Sequence, residues 1–425
     1  MKARSNSSNW HRLDNSANVF PLISHKTFSN VYRLAVQLNE DVDPELLQKA
    51  LDVTLPQFGN FNFRIRRGFF WYYFETTEER ALVQEEALRP CFYIDTRSRH
   101  HHLFRVVYYK RRISLEAFHA IADGTGALNF LKTLIINYLK LVEGEVFSDY
   151  SPRIKVNTEL EDSYKKHYKK VPFDESKLSK AYRLRGKLLP VNTMGVIHGY
   201  LNLPELSAYS KSKGVTLTEY VTTVYLWSIY KDAISRGKSK RPVHLSVPVN
   251  LRKFFESTTN MNFFGHITIE ALTTNPDLTF DEMLMSVKKQ FKDQVTEENM
   301  QRYISKNVSM RNNILTRAIP LPIKNLAVRI IHIKSIQSYT STLTNVGKFE
   351  VDAPYSSKLS HIEVLVNTSR MDPLKCGVCA YGDKFVVTLT SQLEDVSIQK
   401  TFFKKLTDDG LHVAIESNGA FYEIL

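Results

Sequence analysis

The strongest constraint on the fold is a strand that runs into a helix through a tight turn, within residues 113–142. From Ile113 to His119 every second residue faces one side, which predicts a strand whose apolar inward row ends at His119. The pair Asp123-Gly124 follows and is typical of a turn, because glycine supplies backbone freedom. An apolar stripe at helical spacing comes next, at Ala127, Leu128, Leu131, Leu134, Ile135, Tyr138, Leu139 and Val142. The pattern predicts an imidazole at a strand end with a carboxylate nearby, as a general base requires.

Strand-like and helical patterns alternate along the rest of the chain, which predicts a mixed α/β architecture. Further strand patterns cover 31–38, 63–65, 69–74, 103–109, 196–201, 243–247, 264–269, 362–366, 377–381 and 385–389. Further helical patterns cover 44–55, 204–213, 220–234, 280–295 and 297–316.

A cationic stretch separates the two halves, at 163–170 and 176–187. We interpret it as a solvated linker, with a phosphate-attracting surface as the alternative. The expected division is an N-terminal lobe at 1–170, a linker at 171–190 and a C-terminal lobe at 191–425.

The segment His119-Ala120-Ile121-Ala122-Asp123-Gly124 matches the HxxxDG motif, and on this basis the chain resembles the CoA-dependent acyltransferase superfamily. That superfamily includes chloramphenicol acetyltransferase, plant BAHD enzymes and the condensation domains of peptide synthetases. Residues 10–14 and 70–74 are similar to the alcohol acetyltransferase-like branch. The resemblance implies an α/β fold of two chloramphenicol-acetyltransferase-like lobes, each of mixed sheet and helices, with an active-site channel between them.

The resemblance also assigns roles to the motif residues. His119 would take the proton from the acceptor while the acyl group transfers directly, and histidine suits this because its pKa lies near working pH. Asp123 would be structural and paired with an arginine, for which Arg252 in a PVNLR segment is the candidate. The alternative for Asp123 is to orient the imidazole. Gly124 would let the backbone turn and leave room for the thioester.

A second segment of the C-terminal half, Thr344-Asn345-Val346-Gly347, resembles the SNLG-type segment of bacterial members. It lacks the tryptophan and aspartate of the BAHD motif DFGWG. We expect Gly347 to shape the channel and Thr344 or Asn345 to be candidate donors to the developing oxyanion. The residue before the motif histidine is Phe118, where condensation domains carry a second histidine, which favours a stand-alone acyltransferase.

The charge balance limits the partners. Lys and Arg number 57 against 44 Asp and Glu, a formal net charge of +13. A basic surface favours anionic partners such as a phosphate-bearing cosubstrate or an acidic acyl carrier protein. The basic residues follow no pattern of a nucleic-acid-binding module, so we expect no nucleic-acid partner.

We expect no metal site. Cys376 and Cys379 have CxxC spacing, but in a strand-like stretch residues three apart point to opposite faces, and no second CxxC completes a tetrahedral set. Three consecutive histidines at 100–102 cannot all face one ion. The three cysteines make a poor disulfide framework, and the absence of a GxSxG motif argues against a hydrolase with an acyl-enzyme.

These features favour an O-acyltransferase that moves an acyl group, most simply acetyl, from acyl-CoA to a small alcohol or amine. Acyl-CoA is a co-substrate here, and no permanently bound cofactor is expected. No signal peptide or integral membrane segment is indicated, so we expect a cytoplasmic protein. Two alternatives stay open: a non-catalytic binding or scaffold protein of the same fold, and a carrier-protein-dependent, condensation-like acyltransferase. Acceptor, acyl chain length and oligomeric state are open as well.

Overall fold

A computed structural model describes residues 10–98, 102–144, 160–173, 179–237, 240–312 and 319–421. Within them the strands are β1 (Trp10–Arg12), β2 (Val31–Leu38), β3 (Phe63–Arg67), β4 (Tyr72–Thr76), β5 (Val83–Glu85), β6 (Phe104–Tyr109), β7 (Arg112–Phe118), β8 (Gly195–Asn202), β9 (Val243–Asn250), β10 (Phe264–Ala271), β11 (Ser341–Phe349), β12 (Leu359–Val366), β13 (Leu374–Tyr381), β14 (Lys384–Ser391) and β15 (Val413–Ser417). The α-helices are α1 (Phe20–Ile23), α2 (Pro44–Thr54), α3 (Gly124–Val142), α4 (Ser163–Lys166), α5 (Leu203–Ser212), α6 (Leu217–Ser235), α7 (Phe280–Gln294), α8 (Glu297–Asn312), α9 (Leu321–Ile336) and α10 (Ser397–Asp408).

The first lobe is built on a sheet with strand order β12-β2-β7-β6-β5. Strand β7 is central and pairs antiparallel with both β2 and β6, as its uninterrupted apolar row requires. Helices α2 and α3 pack on each other beside this sheet. Their shared core includes stacked phenylalanines, with the rings of Phe61 and Phe130 4.1 Å apart. A small sheet of order β1-β4-β3 completes the lobe.

The second lobe is built on a sheet with strand order β10-β9-β11-β13-β14-β8-β15. Helix α6 packs against α7 and α10 on this lobe. Its start is fixed by a capping box, in which the side chains of Thr216 and Glu219 each bond the other's backbone N–H. The expected mixed α/β architecture of two lobes is confirmed.

Strand β12 joins the two lobes. It comes from the second half of the chain but pairs antiparallel with β2 of the first-lobe sheet, with Ile362 opposite Val36. Ile362 is buried in the first-lobe core because its neighbours on β2 and β7 are apolar. The lobes are therefore not two separate halves of the sequence, which the division at 171–190 did not anticipate.

The cationic stretch after 160 is anchored in the protein by apolar side chains, while its lysines Lys165, Lys166, Lys169, Lys170, Lys180 and Lys187 are exposed. Tyr164, Tyr182 and Leu184 are all buried in the second-lobe core. The Tyr164 hydroxyl donates to the Phe264 carbonyl at 2.7 Å and accepts from the Ser16 hydroxyl at 2.8 Å. The solvated-linker interpretation is wrong for Tyr164, Tyr182 and Leu184, whose apolar side chains are buried between exposed lysines. Residues 174–178 lie outside the described residues.

Cys376 and Cys379 face opposite sides of β13, as strand alternation predicts. Cys376 belongs to the second-lobe core and Cys379 to the first-lobe core. Both thiols are free and buried. Of the consecutive histidines, His102 bonds the Glu79 carbonyl at 2.9 Å, and residues 100 and 101 lie outside the described residues.

Several elements differ from the sequence prediction. The strand expected at 69–74 begins at Tyr72, because Phe69 and Phe70 occupy an exposed turn. Helices α9 and α10 and strands β11 and β15 were not predicted. The last residues of the helix expected at 297–316, from 313 onward, lie outside the described residues. No helix within the described ranges is long and apolar enough to cross a membrane.

Candidate active site

His119 lies directly after β7, where the two lobes meet. Its backbone N–H donates to the Asn30 carbonyl at 2.9 Å, which continues the β2–β7 pairing beyond Phe118. The imidazole stacks on Phe20, with ring centroids 4.6 Å apart, and contacts Tyr32 and Phe264 at 5.1 and 5.4 Å. Phe20 and Tyr32 belong to the first lobe and Phe264 to β10, so aromatic rings from both lobes hold the imidazole.

Asn262 fixes the tautomer of His119. The Asn262 Nδ2 group donates to the Asp14 carboxylate at 3.1 Å and to the Ala120 carbonyl at 3.3 Å. Its Oδ1 therefore faces His119 Nδ1, at 3.1 Å. An amide oxygen only accepts, so Nδ1 must carry the proton and Nε2 must carry the lone pair. Nε2 has no hydrogen bond to another described residue, which leaves it available as a base.

Burial is the main influence on the charge of His119. Desolvation lowers its pKa below the ordinary value of 6.5, and the nearby Lys375 acts in the same direction. The histidine's own backbone carbonyl, the negative charge of Asp123 and the hydrogen bond to Asn262 oppose this shift without cancelling it. The imidazole is accordingly neutral near pH 7.

Asp14 supports Asn262 from the first lobe. Its carboxylate accepts the Ala17 N–H at 2.7 Å as well as the Asn262 amide. Burial, with the charge of Asp162 adding to it, raises the pKa of Asp14 to about 7. Asp14 is only 1% exposed. Neither Asp14 nor Asn262 was predicted as a site residue from the sequence.

Asp123 and Arg252 form the ion pair that the resemblance implied. Arg252 Nη1 lies 2.7 Å from Asp123 Oδ2, and both side chains are largely buried. The other carboxylate oxygen caps α3 by accepting the Gly126 N–H at 3.0 Å. Oδ2 also accepts the Phe263 N–H at 2.8 Å. None of these contacts is to the His119 imidazole; the carboxylate binds Arg252 and two backbone N–H groups around the motif.

Arg252 extends this network across the loop that carries Asn262. Its Nη2 donates to the carbonyls of Thr259 and Met261 at 2.9 and 2.7 Å. The same side chain therefore anchors the start of α3 on one side and the segment 259–263 on the other. The pair therefore links the turn that follows His119 to the segment that carries Asn262.

The segment 344–347 lies against the start of α3, so the structure brings the second predicted segment to the motif. A Cβ atom on Gly124 would stand 3.2 Å from the Val346 side chain, so the helix start and β11 are in close contact there. Strand β11 bulges between Asn345 and Lys348, and Gly347 takes φ +88°, a conformation that suits glycine.

Asn345 is engaged in this bulge. Its Oδ1 accepts the Gly347 N–H at 2.8 Å, and its Nδ2 donates to the Thr218 hydroxyl at 2.9 Å. Its amide therefore holds the turn and ties it to α6. Thr344 is half-buried on β11, one residue before the bulge.

Two further side chains near His119 were missed in the sequence. His266 lies two residues after Phe264 on the same face of β10, and burial together with His119 lowers its pKa to about 4. Lys375 is partly buried beside Asp372, with which it forms an ion pair at 3.0 Å. Strand alternation on β10 could have identified His266, whereas nothing local in the sequence singles out Lys375.

A cavity of about 740 Å³ lies beside Leu13, the chain neighbour of Asp14. It is lined by Trp10, Arg12, Leu13, Asn18, Trp71, Tyr72, Tyr73, Glu75, Lys165 and Arg311. Leu13 and Asn18 flank the loop that carries Asp14 and leads to Phe20. Within the described parts of the chain, no group of three or more His, Cys, Asp or Glu side chains is arranged to hold a metal ion.

No protein-family model matches this sequence, and no curated protein matches it. Solved structures do match over almost the whole chain. TRI101 from F. sporotrichioides, complexed with coenzyme A and T-2, has a TM-score of 0.65 at 10% identity, over 96% of this chain and 100% of that one. The trichothecene 15-O-acetyltransferase TRI3 from Fusarium sporotrichioides has a TM-score of 0.59 at 11% identity, over 96% of each chain.

A condensation domain is similar to the same extent. The starter condensation domain of rhizomide synthetase RzmA, complexed with C8-CoA, has a TM-score of 0.61 at 12% identity, over 96% of this chain and 98% of that one. At these identities the likeness concerns the fold. The chain has the two-lobed, chloramphenicol-acetyltransferase-like fold that these acetyltransferases and condensation domains share.

Proposed function

We propose that this protein transfers an acyl group, most simply acetyl, from acyl-CoA directly to an alcohol or amine, with His119 as the general base. The observation that carries the proposal is the hydrogen-bond chain from Asp14 through Asn262 to His119 Nδ1. It leaves a neutral Nε2 where the two lobes meet. Structures with this fold that hold coenzyme A or C8-CoA support a thioester as the donor.

In the proposed reaction His119 carries one proton from the acceptor to the leaving thiolate. The acceptor O–H or N–H gives its proton to Nε2 while the acceptor heteroatom attacks the thioester carbonyl. The tetrahedral intermediate then collapses, the C–S bond breaks and the leaving thiolate takes the proton from the imidazolium. The Asn262 Oδ1 atom stabilises that transient charge because it accepts the Nδ1–H. No covalent acyl-enzyme is formed.

In this mechanism Thr344 is the proposed donor to the oxyanion. Its hydroxyl is preferred to the Asn345 amide because the latter already bonds Gly347 and Thr218. The net charge of +13 suits the phosphates of coenzyme A. Residues 10–14 and 70–74 support the alcohol acetyltransferase-like branch, and we propose a cytoplasmic site of action.

The test is release of free thiol from acetyl-CoA and longer acyl-CoAs, screened with alcohols, amines and sugars. His119→Ala should lose nearly all of the activity while keeping the wild-type melting temperature. The matched control is His412→Ala, because His412 is an exposed histidine of the second lobe. Thiol release by His119→Ala at the wild-type rate would refute the proposed base.

Asn262→Ala tests the tautomer argument. This change leaves Nδ1 without its side-chain acceptor, so kcat should fall while KM for acyl-CoA changes little. If no acyl-CoA is consumed but a carrier-bound thioester is, the protein is the carrier-dependent alternative. If neither thioester is consumed and acyl-CoA does not raise the melting temperature, the non-catalytic alternative holds.

A further inference from the structure

Helix α9 is held on the protein by three of its polar side chains. Lys324 is 9% exposed, donates to the Phe70 carbonyl at 3.1 Å and lies 3.4 Å from the centre of the Trp71 ring. Asn325 Nδ2 donates to the Tyr72 hydroxyl at 3.3 Å. Arg329 Nε donates to the Leu22 carbonyl at 3.1 Å. Each of these contacts fixes the rotation of the helix about its axis.

This rotation leaves a row of large aliphatic side chains in solvent. Ile323, Leu326 and Ile330 are 60%, 62% and 48% exposed, at the i, i+3, i+7 spacing of one helix face. Ile331 and Ile333 are exposed at the edges of the same face. A soluble helix normally buries such a face, so the arrangement calls for a partner.

Two phenylalanines extend this row. Phe69 is 72% and Phe70 is 41% exposed, in the turn before β4. The Leu321 N–H donates to the Phe69 carbonyl at 2.9 Å, so the turn lies against the first turn of the helix. We call the combined area the α9 surface; it comprises Phe69, Phe70, Ile323, Leu326, Ile330, Ile331 and Ile333.

The charges around the α9 surface are basic. Helix α9 contains Lys324, Arg329 and Lys334 and no aspartate or glutamate. Arg329 and Lys334 are exposed, and the exposed Arg67 precedes the phenylalanine turn. An apolar face with basic flanks matches a bilayer that carries anionic lipids, since both the hydrocarbon and the head groups are complementary to it. A second copy of this chain would instead bring like charges together.

We propose that the α9 surface docks on an anionic phospholipid bilayer, with α9 lying in the plane of the membrane interface. Sixteen residues of helix give a contact about 24 Å long. Trp71 and Tyr72, which α9 contacts, also line the 740 Å³ cavity. Docking therefore brings that cavity next to the lipid. The proposal stands independently of the acyl transfer proposed above, because it rests only on the surface.

The experiment is vesicle flotation of the full chain with phosphatidylcholine vesicles, with and without phosphatidylserine. We expect wild type to float with the anionic vesicles and less with the neutral ones. The variant Ile323→Ser/Leu326→Ser/Ile330→Ser should lose at least about tenfold in partitioning, because three apolar side chains no longer enter the interface. Lys334→Glu should weaken binding to the anionic vesicles only.

The matched control is Val191→Ser/Leu272→Ser, which removes two exposed apolar side chains of the second lobe. This control should float as wild type does, and the melting temperatures of all variants should match, because every substituted residue is exposed. Absence of wild-type flotation, or unchanged flotation of the triple variant, overturns the proposal. A wild-type dimer that the triple variant dissociates, without vesicle binding, also overturns it and assigns the surface to a second copy.

Discussion

The Asp123–Arg252 pair predicts a stability defect for Asp123→Asn. The carboxylate accepts three hydrogen bonds, one at Oδ1 from Gly126 and two at Oδ2 from Arg252 and Phe263. An asparagine keeps one accepting oxygen, and its NH₂ group must face donors on the other side. Arg252 loses its anion in either orientation, and the amide NH₂ group faces either the Gly126 N–H of the helix cap or the Arg252 and Phe263 donors.

The magnitude follows from burial. Asp123 and Arg252 side chains are 6% and 12% exposed, so solvent screens the pair little. Removing one partner of a buried pair typically costs about 3–5 kcal/mol, because the other charge stays buried and uncompensated. We expect Asp123→Asn to lose an amount of that order in the free energy of unfolding, as well as most of the activity.

The assay is urea unfolding followed by tryptophan fluorescence and far-UV circular dichroism, whose transitions must coincide for a single free energy to apply. Asp123→Asn/Arg252→Met should lose less than the sum of its two single variants, since it leaves no unpaired charge. The control is Asp52→Asn, which breaks the exposed Asp52–Arg80 pair and should change stability far less. An Asp123→Asn protein as stable as wild type but inactive would refute the reasoning and return Asp123 to an orienting role.

Three further outcomes are expected. Burial lowers the pKa of His119, so the midpoint of the acid limb in a plot of kcat/KM against pH should lie below the ordinary histidine pKa of about 6.5. A midpoint above that value contradicts a buried neutral base. The pKa of Asp14 rises from 3.8 to about 7 on folding, so the native state holds this proton more tightly than the unfolded chain does. The contribution of Asp14 to the free energy of unfolding should therefore fall as pH rises between those values, and Asp14→Asn should remove that contribution from the measured pH dependence in urea. Cys91, Cys376 and Cys379 are buried with raised pKa values, so an aromatic disulfide reagent should label none of them in the native protein and all three in urea; rapid native labelling would contradict this burial.

The junction at His119 could be predicted from the sequence because its signals are local. Alternation from Ile113 onward and the turn chemistry of Asp123-Gly124 each act within a few residues, and the structure has β7 and α3 where these patterns indicate. Strand β2 occupies 31–38 as predicted, for the same reason. The Asp123–Arg252 contact was expected only through the resemblance, since 129 positions separate the two residues.

The residues that hold the His119 imidazole by hydrogen bonds could not be predicted from local sequence patterns. Asp14 and Asn262 lie 248 positions apart, in segments whose polar residues have the composition of a surface loop. Asp14 and Asn262 are buried because two chain segments meet across the lobes. No periodicity within either segment indicates that these residues are buried. The same holds for β12, because its apolar run fits either sheet and only the assembled first-lobe core selects β2 as its neighbour.

Helix α9 shows a second limit of prediction from sequence. Periodicity identifies the apolar face of a helix but not whether that face points to the core or to solvent. The row Ile323, Leu326 and Ile330 would by default be placed in the core. The structure reverses that orientation: the Lys324 ammonium occupies the face of Trp71, and Asn325 bonds a tyrosine hydroxyl, so the polar side is the better fit to the protein. Aliphatic side chains left in water on that scale are unfavourable unless something covers them. The polar contacts beneath α9 and the basic residues beside it together indicate an anionic lipid surface as that cover.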